Sequence, residues 1–315
     1  MSISSLLGSR GCLFTFHRVA PSALWRTLPN RDFYIDLEFF DRLLTYLRRT
    51  GWTFVTIDEA LRRAGCADSE DRYVNFSVDD GYRDTYELVV PLFRRHGVPI
   101  TLYVTTGIPD GALPLWWAGL EETLLRRDRV VVDHQTIEVG TASAKRRAYA
   151  RIERAWSAAT NGYEAFCTQN DIDPEPLHWR HAVSWQMLAE LRDDPLVEIG
   201  SHGAMHSRLS TLQPSAALAE LRDGRERLMQ MIGVEARHFA FPYGRAGDCG
   251  PRDFELARRA GFSSAATTRK GIIRRRPDAF QLPRNTLNGG HQNLALIELH
   301  LNGLTGAAAR ILGRV

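Results

Sequence analysis

The sequence predicts an α/β fold in which a parallel sheet curls into a barrel and carries a mostly helical insertion. Two observations predict the barrel. Short apolar runs rich in β-branched and aromatic residues alternate with amphipathic stretches at helical spacing, and polar side chains stand where several of those runs end. A change of rhythm over residues 113–182 predicts the insertion. The chain of 315 residues is long enough for one such barrel, so we expect a single domain over 1–315.

The predicted elements follow one another as strand, helix, strand, the order typical of β-α units. Gly51, Gly97 and Gly261 follow three of the amphipathic stretches and act as helix stop signals. We predict strands at 12–16, 73–78, 100–105, 196–200, 238–241 and 264–268, and helices at 37–47, 86–96, 216–232 and 254–260.

The insertion at 113–182 has apolar positions at helical spacing and a high charge, and five of the seven tryptophans lie between Trp116 and Trp185. Trp117, together with these two, is a candidate platform on which sugar rings stack. Aromatic residues of a helical insertion more often pack in its core, so that alternative stays open.

Charge and cysteine usage limit the function classes. The net charge of +3 comes with no basic stripe, so nucleic acid is not an expected partner. The four cysteines lie far apart, with no C-x-x-C pair, which argues against a zinc knuckle or a disulfide framework. We interpret them as reduced thiols of a cytoplasmic protein.

The two ends of the chain carry no clear targeting signal. The first sixteen residues lack the basic leader and long apolar run of a signal peptide. No stretch approaches the roughly 18 apolar residues that span a bilayer, so we expect no transmembrane segment. Residues 304–315 are small, apolar and basic; we expect a frayed terminal helix, with peripheral contact to the inner membrane as the alternative.

Two adjacent carboxylates, Asp79 and Asp80, follow the predicted strand at 73–78. Adjacent carboxylates repel one another, so a fold that keeps both usually supplies a cation or gives them separate roles. The alternative is structural: Asp80 or Asp84 caps the next helix. Since strand ends of an α/β barrel converge on one rim, where active sites form, we favour a functional role.

A pair of histidines, His202 and His206, follows the predicted strand at 196–200. Two histidines four residues apart can direct both imidazoles at one ion, although a lone pair of this kind is often structural. Together with a carboxylate on another strand end, the pair predicts a site with two histidines and one carboxylate. Such a set leaves coordination positions open for water and substrate.

Four motifs carry a resemblance to a known family. Residues 75–81 (N-F-S-V-D-D-G) resemble the T-F-D-D-G motif of the polysaccharide deacetylase family, also called the NodB homology domain or carbohydrate esterase family 4. Residues 202–206 (H-G-A-M-H) resemble its H-S/T-x-x-H motif, 239–244 (F-A-F-P-Y-G) its third motif, and 14–19 (F-T-F-H-R-V) the start of one branch. The resemblance covers roughly 13–287 without the insertion. It implies a distorted (β/α) barrel of the polysaccharide deacetylase type.

The resemblance also implies roles for the matching residues. Asp79 is the expected general base, and Asp80, His202 and His206 are the expected metal ligands. The backbone N–H of Tyr243 is expected to stabilise the oxyanion, and Pro242, beside it in the same motif, to contact substrate. These roles suit amide hydrolysis, because an acetamide needs a polarised carbonyl, an activated water and donors for the growing charge.

The sequence departs from the family pattern in three places. Gly203 stands where Ser or Thr is usual, the third motif lacks an Arg in the usual place, and no L-x-H motif occurs late in the chain. What orients Asp79 therefore stays open. His17 is our candidate general acid in place of the late histidine, since an imidazole can titrate near neutral pH; a structural histidine bonded to a carboxylate is the alternative. Arg284 is expected to bind substrate through a sugar hydroxyl or a phosphate, or else to bind Asp79 or form a surface salt bridge.

We therefore predict a metal-dependent carbohydrate N-deacetylase, a hydrolase of linear amide bonds that removes an N-acetyl group from an amino sugar in a polysaccharide or glycan precursor. Its cofactor is one divalent metal, with zinc favoured, although nickel, cobalt and iron accept the same ligands. Two alternatives remain: a deformylase or other amide or ester hydrolase on the same site, and a non-catalytic glycan-binding protein on a degenerate deacetylase fold. Oligomeric state is left open.

Overall fold

The computed structural model describes residues 11–66, 72–156 and 162–311. Residues 1–10 and 312–315, parts of the segments in which we looked for a leader and a terminal helix, lie outside the described residues. The strands, in chain order, are β1 (Gly11–Phe16), β2 (Arg18–Ala20), β3 (Tyr34–Asp36), β4 (Thr53–Phe54), β5 (Tyr73–Asp80), β6 (Ile100–Val104), β7 (Arg129–Val132), β8 (Gln135–Glu138), β9 (Val197–Ser201), β10 (His238–Ala240), β11 (Ser264–Ala266) and β12 (Asn285–Thr286).

An eight-stranded sheet forms the centre of the molecule, and all its strand pairs are parallel. Its strands lie in the order β11-β10-β9-β6-β5-β1-β12, and β4 pairs with the start of β5. A parallel bridge between Ala266 and Leu282 joins β11 to the segment that leads into β12, so the curled sheet closes on itself. The predicted distorted (β/α) barrel is thereby confirmed.

Helices cover the outside of the sheet. Their apolar faces pack on the strands in one large cluster that includes Phe40, Leu43 and Leu47 of the second helix. The helices, in chain order, are α1 (Ser22–Trp25), α2 (Leu37–Arg49), α3 (Ile57–Gly65), α4 (Val90–His96), α5 (Trp116–Arg126), α6 (Ala142–Trp156), α7 (Gly162–Gln169), α8 (Pro174–His181), α9 (Trp185–Leu191), α10 (Pro214–Ile232), α11 (Pro251–Arg259), α12 (Leu294–Leu301) and α13 (Leu304–Ile311).

The inside of the barrel is unusually polar. Because successive side chains of a strand point to opposite faces, every second residue faces inward. Thr101 and Tyr103 of β6, Glu198 of β9 and His238 of β10 are such residues, and the hydroxyl of Thr101 donates to Glu198 across 3.0 Å. Polar groups therefore occupy both ends of the barrel, not only the rim at the carboxyl ends of the strands.

The insertion lies between β6 and β9 and builds its own apolar core. Helices α5, α6 and α7 pack with the antiparallel hairpin β7–β8 around a cluster that includes Leu120, Tyr149 and Phe166. The insertion is mostly helical, as expected, but the sequence pattern did not predict the hairpin.

The sequence led us to expect no transmembrane segment and reduced cysteines. Among the described residues, no helix is long and apolar enough to cross a membrane. All four cysteines are free thiols; Cys12, Cys167 and Cys249 are buried, and Cys66 is exposed.

Candidate active site

Three side chains from two strand ends converge at the carboxyl end of the barrel. Asp80 is the last residue of β5, and His202 and His206 follow β9 directly. The Nε2 atoms of His202 and His206 lie 3.5 and 3.2 Å from the Oδ1 of Asp80. Asp80 and His202 are buried, whereas His206 is partly exposed and faces the open side of the rim.

These three residues fit a divalent metal ion. The Oδ1 of Asp80 is buried and has no hydrogen-bond partner among the described residues. The Nδ1 of His202 lies 2.7 Å from the carbonyl of Ala240, to which it can donate. Because Nδ1 then carries the proton, Nε2 presents a lone pair toward Asp80. Ligand atoms bound to one ion at about 2.1 Å stand about 3.0–3.4 Å apart, close to the separations seen here.

Burial and charge set the protonation of this group. Burial has the largest single effect on Asp80 and raises its pKa, but His206, His17 and His202 together lower it more, so the carboxyl is held below its ordinary range. Burial lowers the pKa of His202 to about 4. His202 is therefore a neutral imidazole at neutral pH, the form that binds metals.

Three residues of the site adopt left-handed backbone conformations that non-glycine residues rarely use. The φ angles are 79° at Asp80, 55° at His206 and 61° at Tyr243. Such conformations cost about 1–3 kcal/mol each and persist where the surrounding structure enforces them. Three of the seven non-glycine residues with positive φ in the described part of the chain lie at this rim, which makes it a candidate functional site.

The loop that carries both histidines is held from below by Glu220 of α10. The Oε1 of this buried side chain accepts hydrogen bonds from the N–H groups of Met205 (2.7 Å) and Ser207 (3.2 Å). A Cβ at Gly203, whose φ is +84°, would lie 2.7 Å from the same oxygen. Glycine at this motif position therefore makes room for the carboxylate, which braces the loop in place of the usual hydroxyl.

We expect Glu220→Gln to weaken metal binding by about 10–100-fold, because groups that orient metal ligands commonly contribute this much. The amide can accept one of the two hydrogen bonds but carries no charge. Zinc titration of the metal-stripped variant measures the loss. Glu226→Gln, on an exposed position of the same helix, is the control and should bind zinc as the wild type does. Unchanged affinity in Glu220→Gln would contradict this role.

Asp79 lies beside the three candidate ligands but points at Arg284. The guanidinium donates to both carboxylate oxygens, with Nη1 2.7 Å from Oδ1 and Nη2 2.8 Å from Oδ2. Thr15 and Ser77 accept further bonds from Nη1, and Nε donates to the carbonyl of Thr267. Among the alternatives for Arg284, the structure therefore places it on Asp79; its side chain is 0% exposed and cannot contact substrate as first expected.

The pKa of Asp79 reflects the same environment. Burial raises it, but Arg284 and, to a lesser degree, His202 and His17 lower it, so the carboxyl stays below its ordinary pKa. Asp79 is therefore an ionised carboxylate at neutral pH, able to accept a proton.

His17 lies at the same rim, directly after β1. Burial has the largest effect on the pKa of both Asp79 and Asp80. The charge of His17 lowers both pKa values, but less than Arg284 lowers that of Asp79 and less than His206 lowers that of Asp80. The half-buried ring packs on Phe33, with ring centroids 4.9 Å apart. The structure thus places His17 near the two carboxylates, where a candidate general acid must lie.

Tyr243 forms the opposite edge of the rim. Its ring lies 4.9 Å from that of His206 and is 48% exposed, while Thr268 donates a hydrogen bond to its carbonyl. Pro242 is buried, and its carbonyl accepts a hydrogen bond from Gly244. Pro242 therefore shapes this turn and offers no open surface to a substrate, unlike the contact we expected.

Trp117, at the start of α5, reaches the site through Tyr82. Its Nε1 donates to the Tyr82 hydroxyl at 2.8 Å, and both residues belong to a small apolar cluster with Ile108. Burial raises the pKa of Tyr82, and the charge of Asp80 raises it further, so the phenol lies close to the candidate ligand. The sequence did not predict a role for Tyr82 or for Glu220. Tyr82 directly follows the D-D-G motif without belonging to it, and Glu220 lies on a helix outside all the motifs.

Comparisons with known proteins agree with this geometry. Residues 67–263 match the family model described as polysaccharide deacetylase. No curated protein sequence matches the chain.

Several solved structures share the fold. IcaB from Ammonifex degensii matches with a TM-score of 0.62 at 19% identity, over 94% of this chain and 98% of that one. The deacetylase PplD from Streptococcus pyogenes, solved with acetate, matches with a TM-score of 0.60 at 14% identity, over 91% and 96%. A de-N-acetylase from Aggregatibacter actinomycetemcomitans matches with a TM-score of 0.59 at 12% identity, over 92% and 99%.

Proposed function

Because the chain belongs to the polysaccharide deacetylase family, we propose that it is a metal-dependent hydrolase that removes an N-acetyl group from an amino sugar. One observation carries the proposal. A set of two histidines and one carboxylate stands beside a second carboxylate, Asp79, that is ionised and held by both arms of Arg284.

The adjacent carboxylates have separate duties. Asp80, His202 and His206 would hold one divalent ion, most simply zinc, with nickel, cobalt and iron as further candidates. Such an ion, when bound, polarises the amide carbonyl and acidifies water. Asp79 takes the proton from the attacking water, because it is ionised and its oxygens are fixed by Arg284.

The remaining groups stabilise the oxyanion, protonate the leaving amine and contact the sugar. The backbone N–H of Tyr243 donates to the oxygen that becomes negative as water adds to the carbonyl. His17 donates a proton to the departing amine, which would otherwise leave as an amide anion. Trp117 and the exposed ring of Tyr243 offer apolar faces for a sugar ring.

The substrate is an N-acetylated amino sugar in a polysaccharide or glycan precursor. We interpret the cysteines as reduced thiols of a cytoplasmic protein. A protein in that compartment would meet a glycan precursor and not a finished extracellular polymer. The same groups would also cleave a formamide or an ester, because neither the metal nor the base selects the acyl group. A glycan-binding protein on the same fold is a separate candidate, supported by the missing Arg of the third motif and the missing late histidine.

Replacement of His17 tests the assignment of the general acid. We expect His17→Ala to lower acetate release by about 10²–10⁴-fold, the range typical of a general acid, with metal content unchanged. Acetate assays and elemental analysis on the same preparation measure both. Loss of metal in the variant would instead make His17 a ligand or a support for one.

The proposal as a whole is tested by acetate release from an N-acetylglucosamine oligomer, with an N-formyl analogue alongside. Release that requires added metal supports the deacetylase. Tight oligomer binding without release of acetate or formate would favour the glycan-binding protein.

A further inference from the structure

A second cluster of metal-ligand side chains lies at the opposite end of the barrel. Glu198 is the second residue of β9, His238 is the first of β10, and Asp58 lies in the first turn of α3. Glu198 lies in β9 and His202 directly after it, four residues further along, and both face the inside of the barrel. The two clusters are therefore separated by about 13 Å along the strand.

The spacing of this cluster matches that of the first. The Nε2 of His238 lies 3.2 Å from the Oε1 of Glu198 and 3.4 Å from the Oδ1 of Asp58. The candidate ligand atoms of all three residues lie within 4.8 Å of one another. Atoms bound to one ion at about 2.1 Å stand about 3.0–3.4 Å apart, so a single ion fits between them.

The Nε2 atom of His238 points into this cluster without a hydrogen bond. The residue is 1% exposed, and its Nε2 has no hydrogen-bond partner among the described residues, just as Oδ1 of Asp80 has none. Its Nδ1 lies 2.8 Å from the hydroxyl of Ser264, which is also buried. A buried polar atom without a partner is costly, and a cation would satisfy it.

Each carboxylate turns one oxygen toward His238 and has the other held by a neighbour, and the Oδ1 of Asp58, which faces His238, also accepts a long hydrogen bond from Arg237 at 3.4 Å. The Oε2 of Glu198 accepts from Thr101 at 3.0 Å, and the Oδ2 of Asp58 accepts from Arg237 at 2.7 Å. Such outer partners orient metal ligands.

We propose that Asp58, Glu198 and His238 bind a second divalent cation of the zinc type at the amino ends of the barrel strands. The ion ties α3 to β9 and β10 and closes this mouth of the barrel. Asp58 is 45% exposed on its side chain, so the ion enters from solvent. The site is independent of the proposed catalysis, because its residues do not reach the opposite rim.

Zinc stoichiometry of the metal-stripped full chain tests this proposal, by equilibrium dialysis against Zn²⁺. We expect two ions per wild-type chain, one in Asp80→Asn, one in Asp58→Asn, one in Glu198→Gln, and none in the double variant of Asp58 and Asp80. Asp41→Asn is the matched control, since Asp41 is 43% exposed and pairs with Arg95 and His96; it should keep both ions.

A thermal unfolding measurement gives a second readout. Zinc should raise the Tm of Asp80→Asn, in which only the proposed site remains, and should leave the double variant unchanged. Circular dichroism of each variant checks that it folds. One ion per wild-type chain that Asp80→Asn loses and Asp58→Asn keeps, or two ions retained by both Asp58→Asn and Glu198→Gln, overturns the proposal.

Discussion

Asp79→Asn is expected to lower acetate release by about 10²–10⁴-fold while leaving the metal content of the chain unchanged. An amide cannot take a proton from water, and a positioned general base contributes a factor of this size. The fold should survive, because an asparagine oxygen still accepts one hydrogen bond from Arg284. Acetate release and elemental analysis of one preparation measure the two properties.

The control for this substitution is Asp278→Asn. Asp278 also accepts a hydrogen bond from an arginine, Arg258, at 2.7 Å, but on the surface and away from the rim. It should leave both activity and metal content unchanged. Equal loss of metal and activity in Asp79→Asn would mean that Asp79 is a ligand, and the division of labour between the two carboxylates would be wrong.

Arg284→Met is expected to lower both stability and activity. Removal of the guanidinium leaves Asp79 buried without its counter-charge, and breaking a buried pair in this way typically costs about 3–5 kcal/mol of unfolding free energy. Burial then dominates, so the pKa of Asp79 rises and the acid limb of the pH–rate profile moves to higher pH. Urea denaturation and the pH dependence of acetate release measure the two effects.

Two further variants separate positioning from simple loss of structure. Arg284→Lys keeps the charge but cannot hold both oxygens, so it should restore stability more than activity. Arg258→Met removes the surface partner of Asp278 and should destabilise the chain much less. An acid limb that stays in place in Arg284→Met would contradict the role of Arg284 in setting the charge of Asp79.

Local sequence patterns predicted the barrel and one rim of it. The six predicted strands correspond to β1, β5, β6, β9, β10 and β11, because each is a run of apolar residues between turn signals. The strands β4 and β12 were not predicted, because two residues are too few to form such a run. They are strands because they pair with β5 and β1 of the main sheet. The hairpin β7–β8 was not predicted because each of its strands has only four residues and lies within a region of helical periodicity.

The site shows the same division between local and non-local information. Sequence alone could single out four residues that lie in short motifs at or just after strand ends, namely Asp79, Asp80, His202 and His206. The contact between Asp79 and Arg284 joins residues 205 positions apart, and only the closed barrel brings them together. The sequence showed Gly203 only as a departure from the motif, because the carboxylate that braces the loop, Glu220, lies on a helix that no motif connects to it.

We propose that the site of Asp80, His202 and His206 hydrolyses an acetamide with the help of a bound divalent metal, and we claim that the reaction depends on this metal. The decisive measurement is acetate release from an N-acetylglucosamine oligomer, followed while Zn²⁺ is added back to metal-stripped protein. We predict no release without metal, release that rises and saturates with zinc, and no recovery in Asp80→Asn. Full acetate release from the metal-stripped chain, or equal recovery in Asp80→Asn, would contradict the claim.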